Sequence, residues 1–160
     1  MNFTKKSLPE LTKLAQISTE IVAQKTKAVN ARRAFNGETV ITLCESDNGK
    51  DFVETVKTAK SSDEWVVTNQ IDGKDNSYII SAEIFAKVYN ANKDGTYSPV
   101  GEQRQMFIVN ENISFEPPWG GNFNLQAGGV LVPENGMFYG INPKEFAATY
   151  SIIAFKVESQ

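Results

Sequence analysis

Tyr78-Ile79-Ile80-Ser81-Ala82-Glu83-Ile84-Phe85-Ala86-Lys87-Val88-Tyr89 and Tyr139-Gly140-Ile141-Asn142-Pro143-Lys144-Glu145-Phe146-Ala147-Ala148-Thr149-Tyr150 read as one unit written twice. Tyr, Phe and Tyr recur at 78/139, 85/146 and 89/150, each pair 61 residues apart. Ile80/Ile141, Ala86/Ala147 and the helix-start residues Ser81/Asn142 keep the same offset. Upstream of each stands an apolar triplet and a turn, Trp65-Val66-Val67 and Val130-Leu131-Val132. The pattern predicts a hairpin followed by a short helix. The Phe and second Tyr lie four apart, so they share a helix face that can fold back over the hairpin. A hairpin with one short helix cannot bury its apolar face alone. Two such units packed about a pseudo-two-fold axis are therefore expected.

Working outward, Leu8 to Gln24 reads as an amphipathic helix, with Leu11, Leu14, Ile17, Ile21 and Val22 at helical spacing and Ser7/Glu10 as a capping box. From Lys27 the period becomes two. Strands are predicted at Val29–Phe35, Thr39–Leu43, Phe52–Thr58, Trp65–Thr68 and Tyr78–Ile80, then a helix at Ala82–Asn90. Asn92 to Pro99 is polar and turn-rich and reads as a linker. Further strands are predicted at Gln105–Val109, Ile113–Phe115, Phe123–Gln126, Gly129–Val132 and Phe138–Ile141, then a helix at Lys144–Tyr150 and a last strand at Ser151–Val157. The expected fold is α+β. Two β-rich repeats, each with a short terminal helix, form a bent antiparallel sheet or partly closed barrel, and an N-terminal amphipathic helix packs outside. The segments are residues 1–26 (helix), 27–91 (first module), 92–99 (linker) and 100–160 (second module), within one compact domain.

Composition narrows the chemistry. Of 160 residues, 41% are hydrophobic and 22% charged, ordinary for a globular chain. A net charge of −3 gives no basic field for nucleic acid. The chain has no histidine and one cysteine, Cys44, which excludes Ser-His-Asp and Cys-His catalysis and zinc sites of Cys and His. Cys44 reads as a buried, inert thiol. No signal-like segment or run of ~20 apolar residues is present, so the cytoplasm is the expected location and no membrane partner is expected.

The segment Thr58-Ala59-Lys60-Ser61-Ser62-Asp63-Glu64-Trp65-Val66-Val67-Thr68-Asn69, continued by Tyr78-Ile79-Ile80 and Phe85 through Tyr89, resembles small bacterial and phage proteins named for a Pro-Gly-Asp-Tyr-Gly motif. It is also similar to small phage proteins in which Gly-Asp-Trp precedes two strands and a Phe-x-x-x-Tyr helix end. Lys27-Ala28-Val29-Asn30-Ala31-Arg32-Arg33 is similar to their first strand, and Ala127 to Val132 repeats the motif region. The resemblance spans residues 27–150. The first copy has Ser61-Ser62-Asp63-Glu64-Trp65, and the second has Gly129 where the acid stands. The resemblance implies a fold and a phage or mobile-element setting, not a chemistry.

Three groups of residues are candidate ligand contacts. Arg32 and Arg33 occupy successive strand positions, so one is expected toward the core or a cleft and one toward solvent. With Arg104 of the second module, and Lys60 nearby, they would suit a phosphate or carboxylate through the guanidinium fork. Trp65 precedes the first hairpin. Pro117-Pro118-Trp119-Gly120-Gly121-Asn122 places an aromatic and an amide in a loop that would stack on a base or plug a barrel end. The scattered acids form no spaced metal cluster, and no metal or cofactor is expected. The leading expectation is a non-enzymatic, soluble protein that binds a small anionic ligand such as a nucleotide, between the repeats or at a homodimer interface. The alternative is a protein–protein interaction module or inhibitor of a host enzyme, exposing an apolar patch at Leu11/Leu14/Ile21 or around Trp119. An enzyme is the weakest reading, since carboxylates, lysine or tyrosine would have to carry it.

Overall fold

Ser7 begins the first helix through a reciprocal cap. Its hydroxyl accepts from the Glu10 N–H, and the Glu10 carboxylate accepts from the Ser7 N–H. The computed structural model describes residues 1–156. It opens with a short strand, β1 (Thr4–Lys5), followed by helix α1 (Leu8–Ile17). The helix stops well short of Gln24. At Ser18 the hydroxyl turns back to the Leu14 carbonyl at 2.6 Å, and Thr19–Lys25 continues as strand β2. Thr19, Ile21 and Val22 are β-branched, and with period two Ile21 and Ala23 fall on one buried face. The helical reading merged two elements whose apolar residues happen to continue one stripe. Leu11, Leu14 and Ile21 are all buried, so the expected apolar surface patch on that face does not exist.

The middle of the chain is β-rich. It contains β3 (Asn30–Arg33), β4 (Thr39–Glu45), β5 (Asp51–Thr58), β6 (Trp65–Ile71) and β7 (Lys74–Ile80), then α2 (Ala82–Val88), β8 (Tyr89–Ala91) and β9 (Tyr97–Pro99). Strands β3, β6 and β7 form one antiparallel sheet, β4 and β5 a hairpin, and β8 and β9 another hairpin within residues 89–99. Asp72 and Gly73, both at positive φ, close the β6–β7 turn.

The last third carries β10 (Arg104–Ile108), β11 (Ile113–Phe115), β12 (Phe123–Leu125), β13 (Val130–Glu134), β14 (Met137–Ile141), α3 (Pro143–Thr149) and β15 (Tyr150–Phe155). Val157, the expected end of the last strand, lies outside the described residues. Asn135-Gly136 closes β13–β14 with both residues again at positive φ. Asn142 sits at the N-cap of α3 but does not cap it with its side chain. Its amide instead ties the end of β12, accepting from the Gln126 N–H at 2.8 Å and donating to the Asn124 carbonyl at 3.0 Å.

The chain divides into two units, residues 1–24 with 103–160, and residues 25–102. In the first, a five-stranded sheet runs β14-β13-β10-β2-β15, and a smaller one runs β1-β11-β12, with β1 parallel to β11. Its core includes Leu11, Leu14, Phe115, Phe123, Leu125 and Leu131, so α1 contributes to the interior. In the second, Val66 and Ile79 pack with Ala34, Val40 and Ala59, while Val67, Phe85 and Tyr89 surround Val29. The fold is mixed α+β and mostly β. Instead of one bent sheet or a barrel, the strands form several sheets, and none among the described residues closes. No helix among the described residues is long and apolar enough to cross a membrane.

Candidate functional site

In the 25–102 unit the hairpin β6–β7 and helix α2 carry Tyr78 and Tyr89 to one place. Tyr78 leaves β7 opposite Val67, and Tyr89 follows the last turn of α2, its N–H bonded to the Phe85 carbonyl. Phe85 anchors the helix by stacking on Trp65 at 4.1 Å and 8° and lying 5.4 Å from Tyr89. The two hydroxyls then meet at 3.1 Å. Between them lies the end of β2: Lys25 Nζ donates to Tyr78 Oη at 2.8 Å and to Tyr89 Oη at 2.7 Å. The ammonium also sits 5.4 and 5.3 Å from the two ring centroids.

The electrostatics of this triangle are unusual. Burial pushes the Tyr89 phenol far above its ordinary value, the neighbouring Tyr78 adds to the rise, and Lys25 opposes it. Tyr89 therefore stays protonated at neutral pH, a hydrogen-bonding group rather than a base or nucleophile. Lys25 is half-buried, and among the described residues it has no carboxylate partner. An ammonium carries three donors, and the tyrosines take two.

Every other cation singled out in the sequence is answered within its own unit, or is exposed. Arg32 binds Glu38 through both nitrogens, at 3.0 and 2.5 Å. That contact, with the Phe35 N–H, holds the Glu38 carboxyl at about 2. Arg33 lies 5.1 Å over the Trp65 ring and 3.5 Å from Asp63. Neither arginine faces the core, contrary to simple strand alternation: both are exposed, because β3 is a short strand at the edge of its sheet. Lys60 is exposed, and its backbone N–H donates to Glu64. Trp65 is a packing residue under Phe85 and Tyr97.

In the other unit, Arg104 bonds Glu134 at 2.9 Å and the Pro133 carbonyl at 2.6 Å, with Tyr139 Oη at 3.4 Å. Trp119 is 38% exposed and leans on Phe123 and Tyr139 at 6.2 and 6.5 Å. Asn122 accepts from Lys5 at 3.1 Å and donates to Asn124 at 3.0 Å. Within residues 25–102 the structure thus groups Arg32 with Glu38 and Arg33 with Trp65, and within the other unit it groups Arg104 with Glu134 and Tyr139.

Sequence reading missed Lys25 because that residue falls at the end of the stretch taken as helix. The available signal was the tyrosine pair: two hydroxyls at the ends of a hairpin and a helix folded together need a shared partner. No protein-family model, curated protein or solved structure matches the chain.

Proposed function

We propose that this chain is a non-enzymatic binding protein for a small anion, and that Lys25, set between Tyr78 and Tyr89, is its main contact. One observation carries this reading. In both units a cation from outside the Tyr/Phe/Tyr signature lies against its first tyrosine, Lys25 on Tyr78 and Arg104 on Tyr139. Around Arg104 a carboxylate of the chain, Glu134, completes the arrangement. Around Lys25 no described carboxylate does so. A half-buried cation without a counter-ion favours one from solution. Phosphate or carboxylate oxygens match the hard, compact ammonium.

We read the two hairpin–helix segments as copies of one ancestral unit, the second having acquired an internal counter-ion. Matching turns, Asp72-Gly73 and Asn135-Gly136, support that reading, as do the shared resemblance to the Pro-Gly-Asp-Tyr-Gly group and the constant offset. The protonated Tyr89 and the missing histidine favour binding over catalysis. The test is calorimetric titration with inorganic phosphate, ATP and succinate, on the wild type and on Lys25→Met. Binding that disappears in Lys25→Met supports the proposal. A wild type that binds none of these probes overturns it.

A further inference from the structure

Asn69 lies on β6 and is 0% exposed, and its Oδ1 has no hydrogen-bond partner. A buried carboxamide oxygen without a donor is destabilising. The neighbours fix which way the amide faces. Asn76 Nδ2 donates to the Leu43 carbonyl at 3.1 Å, which leaves Asn76 Oδ1 toward Asn69. Asn69 Nδ2 donates to it at 3.4 Å, so the Asn69 oxygen faces the other way.

Ladder register places Asn69 on the face that carries the Lys25 contact. In β6–β7, Val67 pairs with Tyr78, and Asn69 is two positions further along β6. Paired residues and residues two apart share a face, so Asn69 and Tyr78 are diagonal neighbours on one side of the hairpin. The segment that carries Lys25 passes the same place, since the Lys27 ammonium donates to the carbonyl of Gln70, next to Asn69. The other hairpin shows what a side chain at this position reaches. There Val132 pairs with Tyr139, Glu134 is two positions further on, and its carboxylate bonds Arg104, which lies against Tyr139. Glu134 supplies its cation with a charge. Asn69 supplies a neutral acceptor, and Lys25, bonded to the two tyrosines, does not use it.

Given Lys25 as the anion contact, on which this inference rests, we propose that the ligand is a small hydroxy acid. Its carboxylate accepts from Lys25, and its hydroxyl donates to Asn69 Oδ1. A plain carboxylate leaves the amide oxygen unpartnered. A phosphate monoester beside an ammonium is doubly ionised near neutral pH and has no proton to donate. An amino acid has donors, but its ammonium would lie against that of Lys25. A neutral hydroxyl meets neither objection. Entry of the ligand needs a side-chain rotation, a common change on binding, and the flexible stem of Lys25 can make it.

Calorimetric titration of the full chain with two matched pairs, malate against succinate and lactate against propionate, reads the hydroxyl alone. The wild type should bind the hydroxylated member of each pair about tenfold more tightly. Asn69→Leu, which removes the acceptor, should bind both members of a pair alike, and Lys25→Met should bind none of the four. The matched pairs need no substitution, so the wild type alone is decisive should Asn69→Leu fail to fold. Equal affinity within both pairs, with binding lost in Lys25→Met, overturns the hydroxy-acid proposal and leaves Lys25 as an anion contact. A preference for the hydroxyl that survives in Asn69→Leu also overturns it. A wild type that binds none of the four overturns both readings.

Discussion

Lys25 and Arg104 are similar in placement and differ in what answers their charge. Both lie against a tyrosine at the end of a hairpin, but only Arg104 has a carboxylate among the described residues, Glu134. Ion pairing also makes the Arg32–Glu38 contact measurable by pH. Glu38 is held below its ordinary 4.5, at about 2, by the Arg32 hydrogen bonds first and the Phe35 N–H second. A depressed carboxyl contributes stability that is complete above the unfolded value and lost as pH falls through the folded one. Denaturant unfolding of wild type and Glu38→Gln should therefore differ most above pH ~4.5 and converge as pH falls toward ~2. A difference that grows on acidification would refute this assignment.

At the scale of elements, much of the fold is legible because turns and alternation agree. Asp72-Gly73 and Asn135-Gly136 mark hairpins, Asn36-Gly37 turns the chain from β3 into β4 of a different sheet, and the helices at Ala82 and Pro143 begin within a residue of their sequence signals. Two features are not legible. The α1–β2 junction is hidden because Leu11, Leu14, Ile21 and Val22 fit a helical stripe regardless of the break at Ser18. The bulge in β5, where Thr42 pairs with Thr55 but Leu43 pairs with Val53, is hidden because register depends on the partner strand as well as on the residues of β5.

Packing between elements is equally invisible at Gly140. A Cβ there would lie 2.7 Å from Phe123 Cε1 and 3.1 Å from Leu125 Cδ1, so the residue is a gap that β12 fills. Gly140→Ala should destabilise the protein by about 1–3 kcal/mol through overpacking, read as a lower midpoint in chemical unfolding. An unchanged midpoint would show that the two side chains give way freely.

At the scale of the molecule, chain order and spatial grouping diverge. Residues 25–102 form one unit, but 103–160 are completed by 1–24, which place α1 in the core and β2 between β10 and β15. Long-range pairing of this kind leaves no local trace, since the β2–β10 ladder joins residues more than 80 positions apart. Removing residues 1–24 should unfold 103–160 while 25–102 keep their hydrogen-exchange protection. Equal loss in both units would contradict the independence of their cores.

The candidate site was legible only in part. The tyrosines stood out by their spacing, yet their role as hydroxyl donors and acceptors depends on Lys25, which is 53 residues from Tyr78. The most direct test is calorimetric titration of phosphate, ATP and succinate into the wild type, Lys25→Met and Arg104→Met. Loss of one charge-assisted contact of about 1.5–3 kcal/mol predicts affinity reduced at least tenfold in Lys25→Met. Arg104→Met, whose cation is already paired, should bind as the wild type does. Equal affinity of wild type and Lys25→Met, or loss in Arg104→Met alone, would contradict the account.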